Sequence, residues 1–162
     1  MPTLKKEEKH ARMKKKTFVL MISKSFSAMH IRAGQPTEFR QKILAGEKIH
    51  TIRGNAELWE KREKMINKGD AVLSLREWEG KPYQSKQIEF ARLERIGVQR
   101  VVIDPPFITT RDFSFRGFRI NIRRYWDEER IPANDGLTVK DFQSWFPEPF
   151  AGCIIHFTDL RY

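Results

Sequence analysis

The sequence predicts an α+β protein built on a small, mostly antiparallel β-barrel with two or three peripheral helices. Five or six segments are rich in β-branched and aromatic residues, as strands are. These segments occur at irregular spacing, and only two or three segments between them carry helical signals. The order therefore lacks the regular strand–helix alternation of a doubly wound parallel sheet.

The chain of 162 residues is long enough to bury the core of one domain. Residues 1–16 hold seven basic residues and two glutamates with almost no apolar content, which predicts a disordered basic tail. The tail could be a solubilising extension, or a basic arm that adds nonspecific affinity for phosphate backbones. We expect the folded domain to span residues 17–162.

Local signals define the elements of the first half. Pro36 suits a first helical turn, Gly46 suits a helix stop, and Asn55 suits an N-cap. The first half therefore predicts, in chain order, a strand at 16–23, a loop at 25–35, a helix at 36–46, a short strand at 48–53, a helix from Asn55 to Gly69 and a strand at 70–78.

The second half is richer in strands. Gly97 marks a bend within an apolar run, so residues 86–103 form one bent strand or two. The sequence DPPF at 104–107 breaks the chain, and residues after Gly117 alternate as a strand does. Thr138 and Asp141 form a capping pattern for a short aromatic helix. A final strand is expected within residues 151–160.

Composition excludes several classes of protein. The one cysteine, Cys153, allows no intramolecular disulfide, and the four histidines have no carboxylate or thiol at ligand spacing. We therefore expect a cytoplasmic protein without a structural metal or cofactor. The apolar run FVLMI is too short for a signal peptide, and no segment is long enough to span a membrane.

The stretch GEKIHTIR, residues 46–53, concentrates polar side chains in a predicted strand. A regular strand would place Lys48 and Thr51 on opposite faces, so a bulge near the flanking glycines is needed for them to meet. If burial lowers the pKa of the lysine, its neutral amine can activate the hydroxyl as a nucleophile. Otherwise the lysine is a cation for a phosphate or carbonyl group, or the whole stretch is a half-exposed basic strand.

Two segments carry a resemblance to a known family. ILAGEKIHTIRG resembles the opening motif of ASCH (activating signal cointegrator homology) domains, which have a PUA-like β-barrel fold. ANDGLTVKDFQSWFPEPFAGCIIHFTDLRY resembles the end of that family, where an acidic-Gly step precedes a short aromatic helix and the closing strand. The resemblance covers residues 17–78 and 133–162.

The resemblance implies binding of RNA or a nucleotide in a cleft lined by the first motif. It also implies an alternative, because some small bacterial members are amidohydrolases that deacetylate acetylcytidine. Their lysine, threonine and arginine correspond to Lys48, Thr51 and Arg53. Their glutamate corresponds to Asp135, with Asn134 beside it. Aspartate is one methylene shorter than glutamate, so its reach and pKa would differ.

His50 lies inside the first motif and is a candidate cleft residue. A second candidate surface lies at residues 111–125, where five arginines alternate with aromatic residues. Arg119 and Arg123 would project from one face of a strand, where guanidinium groups can bind phosphates and neighbouring rings can stack on unpaired bases. The competing interpretation is an ordinary amphipathic strand whose arginines pair with the acidic residues at 127–129.

The formal net charge of +10 makes an anionic partner a reasonable expectation. Our main hypothesis is a module that binds RNA or a modified nucleotide, with Lys48 and Arg53 holding phosphate or base oxygens. The alternative is an amidohydrolase in which Lys48 activates Thr51 and Asp135 handles protons. A protein-interaction domain with an incidental basic surface is the third interpretation. The sequence leaves open whether the ligand is RNA, DNA or a free nucleoside, and the oligomeric state.

Overall fold

A computed structural model describes residues 14–110, 112–115, 118–121, 123–126 and 130–162. The described residues contain ten strands: β1 (Lys16–Met21), β2 (His50–Arg53), β3 (Ala71–Trp78), β4 (Gln87–Leu93), β5 (Gly97–Asp104), β6 (Phe107–Thr109), β7 (Asp112–Phe115), β8 (Phe118–Asn121), β9 (Arg124–Tyr125) and β10 (Phe150–His156). They also contain four helices: α1 (Phe39–Leu44), α2 (Ala56–Asn67), α3 (Ile131–Asn134) and α4 (Val139–Trp145).

The strands form two main sheets and a separate hairpin. One sheet has the order β1-β3-β4, the other has the order β2-β10-β5-β6-β9, and β7 pairs only with β8 among the described strands. The β1–β3 pair is parallel, and every other pair in these sheets is antiparallel. The prediction of an α+β fold is confirmed. Across the described strands no ladder joins the two sheets into a closed barrel.

Helix α2 packs against strands of both main sheets, namely β3 in one and β5 and β10 in the other. Trp59 and Ile66 are its buried residues and face this shared core. Cys153 of β10 is also fully buried, as its apolar neighbours predict. Both sheets bury apolar surface in this shared core, and that burial holds the two sheets together.

Several local predictions are confirmed. Asn55 caps α2 by accepting a hydrogen bond from the backbone of Leu58, and Thr138 caps α4 by accepting one from the backbone of Asp141. Helix α1 is shorter than predicted. It begins at Phe39 rather than Pro36, because Pro36 forms a β-bridge with Ser25 and the backbone N–H of Thr37 donates to the carbonyl of Lys24.

Two predicted runs each form two strands. The run at 86–103, predicted as one bent strand or two, forms β4 and β5, and the side chain of Asn67 at the end of α2 hydrogen-bonds both the N–H and the carbonyl of Ile96 between them. The alternating run after Gly117 splits into β8 and β9, which pair with different strands. These divisions raise the number of strands above the five or six predicted.

The predicted tail falls almost wholly outside the described residues, which begin at residue 14, and β1 begins at Lys16. Among the described residues, no helix has the length and apolar character needed to cross a membrane.

Candidate functional site

A pocket lies at the seam between the two main sheets. Its wall combines the end of β1, the strand β2, the start of α1, the turn after α3 and the end of α4. The lining residues are Ile22, Ser23, Phe39, Lys48, Thr51, Ile52, Arg53, Asp135, Trp145 and Phe146. About 290 Å³ lies between the walls, counting the open mouth. The centre of a water molecule can reach only about 10 Å³ of it, which is room for one water.

Lys48 reaches this pocket because it precedes strand β2, which begins at His50. The two-residue alternation of a strand therefore does not fix its direction, and it can share a pocket with Thr51. Its aliphatic chain passes Gly136, whose φ is +77° and whose missing Cβ would lie 3.1–3.3 Å from three Lys48 carbons. Its ammonium lies 4.2 Å from the centre of the Phe39 ring, a cation–π contact.

Lys48 and Asp135 form a buried ion pair, 87 positions apart in sequence. Nζ of Lys48 donates to Oδ1 of Asp135 at 2.8 Å and to its backbone carbonyl at 2.6 Å. The side chains are only 2% and 7% exposed. The sequence-based expectation that the two motifs meet is consistent with this contact.

Burial governs the ionisation of the pair. Burial lowers the pKa of the Lys48 ammonium below its usual value, although the charge of Asp135 acts in the opposite direction. Burial alone would raise the pKa of the Asp135 carboxyl. The positive charge of Lys48 and the contact with His50 outweigh it, so this pKa lies below its usual range. The pair is therefore charged, with a lysine that loses its proton more easily than an exposed one.

Thr51 and Arg53 supply the other polar groups of the wall. The Thr51 side chain is 4% exposed, and its hydroxyl makes no hydrogen bond to any residue that the structure describes. Arg53 donates to the backbone carbonyls of Met21, at 2.8 Å, and Ile52, at 3.1 Å. None of the described carboxylates forms an ion pair with it. The pocket thus combines a paired ammonium, an unpaired guanidinium and a free hydroxyl.

His50 and Asn134, two predicted ligand-binding residues, lie behind the pocket wall instead of on it. His50 is fully buried, with Nδ1 3.3 Å from Asp135 Oδ1 and Nε2 2.7 Å from the Tyr162 hydroxyl. Asn134 donates to the same hydroxyl at 2.9 Å. His50 therefore contacts Asp135 directly, whereas the side chain of Asn134 is linked to it through Tyr162 and His50.

One residue of the predicted basic stripe, Arg123, lies away from the pocket. Arg123 immediately precedes β9, which forms the opposite edge of its sheet from β2. Its guanidinium lies 3.0 Å from Asp104 and 4.3 Å from the centre of the Phe107 ring. The ring of Tyr125, 53% exposed, packs against Phe107 at 4.8 Å. Arg119 belongs to β8, and its side chain is outside the described residues.

Sequence reasoning missed the aromatic part of the pocket. The helical spacing of Phe39, Trp145 and Phe146 predicts core packing. Phe39 and Phe146 are indeed buried, but all three also line the pocket. The rings of Phe39 and Trp145 lie 5.8 Å apart, and Trp145 is half-buried. The signal that could have located them is the aromatic helix directly after the acidic-Gly step at Asp135. Tyr162 was missed as well, because nothing in its local sequence predicts a contact with His50.

The arrangement can hold a small polar group beside aromatic surface. Aromatic walls with a few convergent polar groups are typical of sites for nucleobases and other planar ligands. Among the described residues, no group of three or more histidine, cysteine or acidic side chains could hold a metal ion. Comparisons with protein-family models, curated proteins and solved structures gave no significant match.

Proposed function

We propose that this chain is an ASCH-like protein of the PUA-like class that binds RNA or a modified nucleotide through the seam pocket. Two motifs at opposite ends of the domain supply its polar groups, as the resemblance implies. The layout supports the proposal of a binding site, because two sheets packed on one core leave a pocket at the seam between them.

One observation carries the proposal of an anionic or carbonyl-bearing ligand. Arg53 lines the pocket without a carboxylate partner among the described residues, whereas Lys48 is neutralised by Asp135. Lys48, Arg53 and Asp135 together therefore carry a net charge of about +1 at neutral pH, because arginine stays protonated. A half-buried cation attracts a phosphate oxygen or the carbonyl oxygen of a base.

The narrow pocket limits how the ligand enters. With room for one water, it admits a single group such as a carbonyl oxygen, while the planar base stacks at the opening beside Trp145. A longer RNA would need further contacts. Arg123 and Tyr125 at the other edge of the sheet are suited to a phosphate and an unpaired base, respectively.

Binding is tested by fluorescence anisotropy with a short single-stranded RNA at several salt concentrations. We expect the affinity to fall as salt rises, with a logarithmic slope of about −0.7 per phosphate contact. Arg53→Gln should weaken binding, whereas Arg95→Gln, the same change at an exposed arginine outside the pocket, should have little effect. Salt-independent binding, or equal losses in both variants, would contradict the proposal.

A second function is favoured by the free hydroxyl of Thr51 in the same pocket as Lys48. In this amidohydrolase reaction, the fraction of Lys48 that has lost its proton takes the Thr51 proton as the oxygen attacks the acetyl carbon of acetylcytidine. Arg53 stabilises the developing oxyanion. The C–N bond then breaks, and Lys48 returns the proton to the leaving amine. Water hydrolyses the acetyl-threonine ester, so the products are cytidine and acetate.

Acetate release from acetylcytidine tests this second function. We expect Thr51→Val, which removes the hydroxyl and keeps the shape, to abolish release, and Thr51→Ser to retain part of it. Thr51→Val should still bind the nucleoside, because the guanidinium of Arg53 remains. A wild-type protein that releases no more acetate than Thr51→Val would eliminate the hydrolase and leave the binding function in place.

A further inference from the structure

A chain of hydrogen-bonding groups extends from the pocket into the core. It contains Lys48 and Asp135, and then His50, Tyr162 and Asn134, which do not line the pocket. His50 is 0% exposed and Tyr162 is 4% exposed. A fully buried imidazole is costly unless its nitrogens have partners, so its neighbours indicate its role.

The donors in this chain can be assigned from Asn134 onwards. The amide nitrogen of Asn134 only donates, so it occupies a lone pair of the Tyr162 hydroxyl at 2.9 Å. The hydroxyl can then donate its own proton to Nε2 of His50, 2.7 Å away. With Nε2 as the acceptor, the ring proton of His50 is on Nδ1.

Nδ1 of His50 lies 3.3 Å from Oδ1 of Asp135, the same oxygen that accepts from Lys48. The contact is long and does not meet the geometry of a hydrogen bond. A proton on Nδ1 is nevertheless attracted electrostatically to the Asp135 carboxylate. A proton on Nε2 instead would turn a nitrogen lone pair towards the carboxylate, which is repulsive.

We propose that His50 is a positioning residue, which with the Tyr162 hydroxyl fixes the Asp135 carboxylate against Lys48. The inference goes beyond the resemblance, which assigns no role to the residue at position 50. It concerns the ligand-free protein, and only its consequence for binding or turnover rests on the proposed function.

The surrounding charges support this arrangement. Lys42 of α1, Lys48 and Arg53 place positive charge around the pocket, and the charge of Asp135 acts on Lys48 and Arg53. Burial, only partly offset by the contact with Asn134, raises the pKa of the Tyr162 hydroxyl to about 12, so it stays a donor. Burial lowers the pKa of His156 to about 3, so His156 adds no competing charge at neutral pH.

The test is NMR spectroscopy of the ligand-free protein. Nitrogen shifts of the His50 ring should show the proton on Nδ1 in the wild type. Tyr162→Phe removes the hydroxyl that fixes this tautomer, so we expect a shift towards the other tautomer without loss of the fold. A wild-type ring protonated on Nε2 would overturn the proposal without any variant.

The carboxyl carbon of Asp135 gives the second readout. We expect its titration midpoint to rise in His50→Phe, which removes the donor, and to return towards the wild-type value in His50→Asn, whose amide nitrogen can replace Nδ1. A purely packing role predicts no such rescue. Equal Asp135 titration midpoints in the wild type and His50→Phe would refute the inference. If His50→Phe does not fold, the Asp135 midpoint of Tyr162→Phe is compared with that of the wild type instead, and equal values would refute the inference. Neither readout needs ligand, so failure here is separable from failure of the proposed function.

Discussion

Replacing Gly136 by alanine perturbs the site through one contact. The residue follows Asp135 and has φ of +77°, and a Cβ there would lie 3.1, 3.2 and 3.3 Å from Cβ, Cδ and Cγ of Lys48. Lys48 cannot move away freely, because its ammonium is fixed by two hydrogen bonds to Asp135. Gly136→Ala should therefore both strain the backbone and displace the ion pair.

The magnitude has two parts. An L-residue in the left-handed region costs about 1–2 kcal/mol, and overpacking a buried contact costs about 1–3 kcal/mol. Gly34 has the same φ of +77°, with nothing within 4 Å of a Cβ. Gly34→Ala thus carries the backbone part alone, and Gly136→Ala should be less stable than Gly34→Ala by the contact part of about 1–3 kcal/mol.

Chemical denaturation gives the free energy of unfolding of each variant, and the side-chain resonances of Lys48 report its displacement. We expect the Lys48 resonances to shift in Gly136→Ala and to stay unchanged in Gly34→Ala. Equal losses of stability in the two variants, with unchanged Lys48 resonances in both, would refute the reasoning.

Three further predictions concern the ion pair, the buried histidine and the distant surface. Lys48→Met and Asp135→Asn should each lower the free energy of unfolding by about 3–5 kcal/mol, because each leaves a buried partner unpaired. In a double-mutant cycle, the double variant should lose less stability than the sum of the two single variants. The pKa of His156 in the folded protein is about 3, below its value of about 6.5 in the unfolded chain, so the free energy of unfolding should fall as pH drops from about 6.5 through 3. His156→Gln should flatten this part of the plot of unfolding free energy against pH. Tyr125→Ala should weaken single-stranded RNA binding by about 1–3 kcal/mol, whereas Tyr83→Ala, at an exposed tyrosine of the β3–β4 turn, should not; equal losses would exclude a specific role for Tyr125.

Local chemistry made much of the fold predictable. The caps at Asn55 and Thr138 depend on a side-chain oxygen and a backbone N–H three residues away, so sequence alone locates them. Gly97 predicts a bend where β4 and β5 divide, but the contact that holds the chain at Ile96 was not predictable in this way. It depends on Asn67, 29 positions earlier, whose side chain hydrogen-bonds the N–H and the carbonyl of Ile96.

The candidate site was likewise predictable only in part. One short motif contains Lys48, Thr51 and Arg53 in order, and the acidic-Gly step at Asp135 predicts the part of the pocket wall that faces them. The interior role of His50 was not predicted, because its place inside the motif made it a candidate cleft residue, although period-two alternation puts it on the opposite face of β2 from Thr51. Its burial follows from a hydroxyl 112 positions away, on Tyr162.

The most direct test of the seam pocket is an NMR titration with acetylcytidine, followed on the Thr51 methyl and Trp145 indole resonances. We expect saturable shifts at both positions, which are lost in Arg53→Gln and kept in Arg95→Gln. Saturable shifts confined to β6 and β9, or none at Thr51 and Trp145 at saturating nucleoside, would contradict this expectation.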